Sequence, residues 1–206
     1  MPFAQEHWNS VYVNLSPAGG SWTRANLNES LEAISRVAPS PDCSVLDIGG
    51  GLDSVAFELA ARGREAYVID ISAVALGLPI GSDHEWRSGS PETLNRCAGD
   101  VLVAPLPTVG VWHDRATFHF FTDRAERLAY IQRAAAHVTE GGGIVVAGFS
   151  KTGPTHCSGL EVARRSPEAL AEEFSDYFAV VESFERDHVT PAGVTPRFAW
   201  LLGRRI

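Results

Sequence analysis

Lysine is almost missing from this chain. Lys151 is the only one, and arginine carries the rest of the positive charge. Cysteine is scarce too. Cys43, Cys97 and Cys157 share no C-x-x-C spacing, so the expectation is reduced thiols and no metal. No apolar run comes near the roughly 18 residues that a membrane span needs. Residues 1–22 are polar and aromatic and lack the pattern of a signal peptide. A cytoplasmic protein with no membrane partner is expected. Acids outnumber bases, with a formal net charge of -8. That is a poor match for the phosphate backbone of DNA or RNA, so no nucleic-acid partner is expected. There is no internal repeat, and composition leaves the oligomeric state open.

What is present is an ordinary globular balance, 45% hydrophobic and 20% charged. Its most informative stretch is Val45-Leu46-Asp47-Ile48-Gly49-Gly50-Gly51-Leu52-Asp53, an apolar run, an acid and three glycines, followed by an amphipathic helix pattern. Strand, glycine turn and helix open a Rossmann-like βαβ unit. The glycines let a ligand lie against bare main chain. Asp70 ends the next apolar run, roughly 20 residues on, the spacing at which a carboxylate meets a ribose diol. A nucleoside site is therefore expected. Dinucleotide sites use G-x-G-x-x-G with a pyrophosphate at the helix start, but here the sixth position is Ser54 and acids flank the turn at Asp47 and Asp53. Such carboxylates repel a diphosphate and suit a cation. S-adenosylmethionine has a sulfonium, an ammonium and no phosphate.

The remaining pattern alternates strands and helices. A helix is expected over 26–37, with Leu27, Leu31, Ile34 and Val37 on one face. Strands over 44–48 and 65–70 bracket a helix over 54–62. Ser72 would cap a short helix through Leu76, and loops around a short strand near 84–87 fill 77–96. A strand over 109–114 continues toward Phe121. A helix follows to His137, with Ala125, Leu128, Ala129, Ile131 and Ala135 inward. Another strand covers 144–149, and a loop covers 151–160. A helix opens at Ser166-Pro167-Glu168 and runs to about Tyr177. Alternating runs at 179–185 and 197–202, joined through Pro191-Ala192-Gly193, read as a hairpin. The sum is a single α/β domain with a doubly wound, mostly parallel seven-stranded sheet and a C-terminal antiparallel hairpin. Residues 1–38 would form a helical lid or cap, and 39–206 the Rossmann-like core.

Asp47-Ile48-Gly49-Gly50-Gly51 resembles the D-x-G-x-G signature of class I S-adenosylmethionine-dependent methyltransferases, although Asp53 stands where a further glycine is often found. Trp112-His113-Asp114-Arg115-Ala116-Thr117-Phe118-His119-Phe120-Phe121 resembles the W-H-D-(R/K)-x-x-F-H-F-L segment of a bacterial subgroup. Eukaryotic methyltransferase-like proteins, including the citrate synthase lysine methyltransferase, share that segment. The loop Gly153-Pro154-x-x-Cys157-Ser158-Gly159-Leu160 is similar to one in the bacterial members. The resemblance implies the class I methyltransferase fold, S-adenosylmethionine as cofactor with S-adenosylhomocysteine as product, and an adenine contact at Asp100. It names no substrate.

Methyl transfer needs nucleophile and methyl group held in line and water excluded, with a base only for a protonated nucleophile. The expected cofactor contacts are Asp47, Gly49, Gly50, Gly51, Asp70, Ile71, Asp100, Val101 and His113. His113 and Asp114 are the candidates for the catalytic face, although neighbours in a strand point opposite ways. Arg115 reads as the charge partner of Asp114. Trp8, Tyr12 and Trp22 would form an aromatic lid that stacks on the substrate or faces the sulfonium. His119, in an apolar run that suggests packing, and Cys157 complete the candidate substrate contacts. The acceptor would be an N, O or S nucleophile on a small molecule or a protein side chain. A cyclase or lyase using the same cofactor, a non-catalytic nucleoside binder and a nicotinamide dehydrogenase remain as alternatives.

Overall fold

The computed structural model describes residues 2–15, 27–188 and 195–206. The helices are α1 (Pro2–Val13), α2 (Asn28–Val37), α3 (Val55–Ala61), α4 (Arg124–His137) and α5 (Pro167–Phe174). The strands are β1 (Val45–Ile48), β2 (Ala66–Asp70), β3 (Arg87–Ser88), β4 (Leu94–Ala98), β5 (Val109–Arg115), β6 (Val138–Phe149), β7 (His156–Cys157), β8 (Leu160–Glu161), β9 (Phe178–Asp187) and β10 (Arg197–Arg205). One sheet has the order β3-β4-β2-β1-β5-β6-β10-β9, and β7 and β8 form a small separate hairpin. Strands β4, β2, β1, β5 and β6 run parallel, whereas β10 is antiparallel to both β6 and β9. The seven expected strands have counterparts, the short one near 84–87 being two-residue β3 at one edge, and β4 is an eighth. None of the described helices is long and apolar enough to cross a membrane.

The chain leaves β1 toward β2 and β4 on one side and returns to β5 and β6 on the other. The order therefore reverses between β1 and β5, where open α/β sheets bind ligands beyond the strand C-termini. Alternation along these strands sends neighbours to opposite layers. Val45, Val68, Val111 and Val145 pack with α2 and α3. Leu46, Ile69, Trp112 and Val146 pack with α4 and α5. Asp47 lies beside His113, and Ile48 beside Asp114.

Local chemistry fixes the helix starts. Ser54 accepts from the Ala56 amide, Asp123 from Ala125 and Glu126, and Ser166 from Ala169 with Pro167 at the first position.

Several expectations change. Residues 73–77 form consecutive turns instead of a helix, although Ser72 Oγ does accept from the Ala75 amide at 3.2 Å. The short strand lies at Arg87–Ser88, and Leu94–Ala98 is a full parallel strand not foreseen in the region 77–96. On α4, Ala125 and Leu128 face solvent while Tyr130, Ile131, Ala134 and Ala135 face in; the stripe is shifted because buried Tyr130 anchors it. β5 stops at Arg115, and Phe118–Phe120 is a 3₁₀ turn. Helix α5 ends at Phe174. The joining residues Pro191-Ala192-Gly193 lie outside the described residues.

Helix α2 lies close on β6. A Cβ built on Gly143 would sit 2.7 Å from the Val37 carbonyl oxygen. Gly143→Ala is expected to cost about 1–3 kcal/mol by overpacking, read as a lower urea midpoint with an unchanged slope.

Candidate functional site

The turn after β1 is shaped by the acid inside it. Gly49 and Gly51 have φ of 62° and 58°, values that favour glycine. The Asp47 carboxylate sits under the turn. One oxygen accepts from Ser54 Oγ at 2.5 Å and from the Val55 amide at 3.1 Å, and the other accepts from His113 Nδ1 at 2.6 Å. Ser54 Oγ accepts in turn from the Ala56 amide. The first amides of α3 are thus already bound to the protein's own carboxylate and hydroxyl. A diphosphate would need those donors.

Asp70, at the C-terminal end of β2, is 6% exposed. Its oxygens accept from the Gly51 amide at 3.0 Å and the Ser72 amide at 2.8 Å. Burial pushes its pKa from 3.8 up to about 6, against the lowering effect of those two amides and with a further small push from Asp47. A carboxylate pinned by two amides still has lone pairs for a pair of hydroxyls.

Asp70 borders a cavity of about 420 Å³ at the strand C-termini, together with Gly49, Ile71, Asp100 and Val101. Trp8 and Tyr12 of α1, Phe120 and Cys157 close the far side. Trp8 packs edge-on against Phe120, with centroids 5.3 Å apart. Helix α1 is held by His7 Nε2 against the Ser158 carbonyl (3.0 Å) and by Ser72 Oγ donating to Asn9 (2.7 Å). A second cavity of about 260 Å³ adjoins the first. It is bordered by Asp47, Gly50, Asp53 and His113, and Tyr12, Gly49, Arg115, Ala116 and Cys157 border both.

The expected site residues therefore divide. Gly49, Asp70, Ile71, Asp100, Val101, Trp8, Tyr12 and Cys157 line the first cavity, whereas Asp47, Gly50 and His113 line only the second. Gly51 lines neither. Its amide fixes Asp70, and a Cβ there would meet the Tyr12 hydroxyl at 2.6 Å. Trp22 lies outside the described residues. Among the described residues no three metal-ligating side chains cluster.

Two expected contacts are misplaced for a physical reason. Asp114 follows His113 within β5 and so faces the opposite layer. It is 0% exposed, accepts from the Thr117 and Phe118 amides at 2.9 and 3.2 Å, and accepts from the Tyr130 hydroxyl, which itself receives Trp112 Nε1 at 2.9 Å. It holds the turn after β5 and borders neither cavity. His119 is also buried away from both, between Phe120 and Phe149 at 4.5 and 4.9 Å. Burial, and then Arg165, lowers its pKa to about 3, so it is neutral packing. Arg115 does not pair with Asp114. It projects to the shared wall between the cavities, and Ala116 after it has φ of 71°. Such a left-handed alanine costs about 1 kcal/mol. Thr117, also on the first cavity's wall, donates to the Ile48 carbonyl at 3.1 Å. Only the Trp112–Phe121 run hinted at these wall residues.

Asp70 and Asp114 both have pKa values pushed from 3.8 to about 6, first by burial. Between about pH 4 and 6 the folded state keeps a proton that the unfolded chain has lost, so stability falls as pH rises through that window. Each group contributes on the order of 2 kcal/mol. Urea denaturation from pH 4 to 7, without ligand, should show this fall. It should be shallower by about that amount in Asp70→Asn; an unchanged slope would contradict the assignment.

No family model matches the chain, and no curated protein matches it in sequence. Solved structures do match in shape. A protein studied for the conversion of a disulfide bond into a thioacetal group during echinomycin biosynthesis is 19% identical with a TM-score of 0.70, covering 98% of this chain and 92% of its own. The 1,6-didemethyltoxoflavin-N1-methyltransferase of Burkholderia thailandensis, solved with its substrate and S-adenosylhomocysteine, is 16% identical with a TM-score of 0.70, covering 99% and 88%. A SAM-dependent methyltransferase of Anabaena variabilis is 15% identical with a TM-score of 0.69, covering 98% and 93%. With its mostly parallel sheet and terminal antiparallel hairpin, the chain has the class I methyltransferase fold.

Proposed function

We propose that the protein is an S-adenosylmethionine-dependent methyltransferase of the subgroup that the Trp112–Phe121 segment resembles. The observation that carries this reading is Asp70, a carboxylate fixed by two amides at the edge of a 420 Å³ cavity, beside a turn whose Gly51, Val55 and Ala56 amides are already bound to the protein's own oxygens. Asp70 would hold the ribose diol of the cofactor, Ile71, Asp100 and Val101 would receive the adenine, and Trp8, Tyr12 and Phe120 would face the sulfonium. That several neighbours in shape were solved with S-adenosylmethionine, S-adenosylhomocysteine or sinefungin supports the same cofactor here.

His113 is the proton acceptor of this proposal. Its Nδ1–H donates to Asp47, which fixes the ring, and its Nε2 is buried with no partner among the described residues. The bound cofactor would supply the methyl group and keep the carbon–sulfur electron pair as a nucleophile's lone pair displaces it; for a protonated nucleophile, His113 Nε2 would take the proton while Asp47 holds the ring in place. The acceptor is a small molecule or a protein side chain.

Calorimetry tests the cofactor. S-adenosylhomocysteine is expected to bind and NAD not to bind. Asp70→Asn should weaken S-adenosylhomocysteine at least about tenfold while the fold persists. Binding of NAD in place of S-adenosylhomocysteine would refute the reading.

A further inference from the structure

The second cavity contains a guanidinium that no carboxylate contacts directly among the described residues. Arg115 Nη1 is buried and has no hydrogen-bond partner, and Arg115 forms no ion pair among the described residues. Asp47, Glu29 and Asp53 act on it through space, but the Asp47 oxygens are occupied by His113, Ser54 and the Val55 amide. His188, which also borders the cavity, is kept toward its neutral form by burial and by the Arg115 charge. Desolvating a guanidinium costs several kcal/mol unless an anion is hydrogen-bonded to it. Leu27, Val55, Phe149 and Phe198 give the wall an apolar part, and its carboxylates and imidazoles are those of Asp47, Asp53, His113, His156 and His188. One planar oxyanion on an apolar body would satisfy both features, because the fork of a guanidinium matches a carboxylate with two parallel hydrogen bonds.

We propose that the second cavity is the acceptor's binding site, and that the acceptor is a small, apolar-bodied molecule whose carboxylate pairs with Arg115. This rests on the cofactor reading above. At about 260 Å³ the cavity admits a small molecule and no folded partner. Arg115 and Gly49 border both cavities, so an acceptor anchored there lies against the wall behind which the methyl group sits, with His113 on the same face. The requirement for a carboxylate separates this site from a general apolar pocket.

The test uses the full chain saturated with S-adenosylhomocysteine, titrated calorimetrically with benzoate and with its neutral isostere benzamide. Benzoate is expected to bind at least about tenfold more tightly than benzamide. Arg115→Gln should remove that preference while leaving S-adenosylhomocysteine affinity within about threefold. Should Arg115→Gln fail to fold, Arg115→Lys, which keeps the charge and loses the fork, should still reduce the preference. Equal binding of the two probes, or none, with cofactor binding intact overturns the acceptor proposal alone. A loss of S-adenosylhomocysteine affinity in Arg115→Gln as large as the loss for benzoate also overturns it, by assigning the guanidinium to the cofactor. Failure of the unaltered protein to bind S-adenosylhomocysteine overturns both readings.

Discussion

One carboxylate sets the terms for this cleft. Asp47 joins the end of β1 to the first turn of α3 through Ser54 and Val55, and to β5 through His113. In doing so it takes up the positive end of a helix that would otherwise receive a phosphate. The glycine turn above it is left as a bare, uncharged surface beside a buried acid. The same contact orients the buried His113 imidazole. The occupied helix start and the orientation of His113 thus trace to a single side chain, and a change at Asp47 disturbs both.

Alternation along β5 does the next sorting. Trp112 and Asp114 go to the α4–α5 layer, where Tyr130 joins them, and Val111 and His113 go to the α2–α3 layer. Both adjacent polar residues are buried, 2% exposed for His113 and 0% for Asp114, but their surroundings differ. Asp114 is saturated by two amides and a hydroxyl and serves the turn that presents Arg115 and Thr117. His113 keeps one nitrogen without a partner.

What was legible in the sequence was what is local. Glycine turn, helix cap and the acid at the end of β2 follow from a few neighbouring residues, and so does the terminal hairpin from its period of two. Strand β4 was not legible. Leu94-Asn95-Arg96-Cys97-Ala98 puts two polar residues in a parallel strand, and only the fold shows Arg96 tethered to the Leu76 carbonyl at 2.9 Å. Asp114 and His119 looked like site residues because their chemistry is that of sites. Their burial depends on Tyr130, Phe149 and Arg165, which are far enough along the chain that no short pattern links them. Arg115 was misread for a related reason. Adjacent charges in sequence suggest a pair, and a strand places them on opposite sides.

The two outermost strands carry a further consequence. A sheet of this width ends in rows of unpaired amides and carbonyls, which invite another chain to add on. β3 is only two residues long and offers little to join. β9 is ten residues long and exposes Val180 and Val181, but Glu182, Glu185, Arg186 and Asp187 follow them along the same strand. A second strand adding there would have to settle against these charged side chains and their arginine partners, so the charged end of β9 discourages edge-to-edge addition.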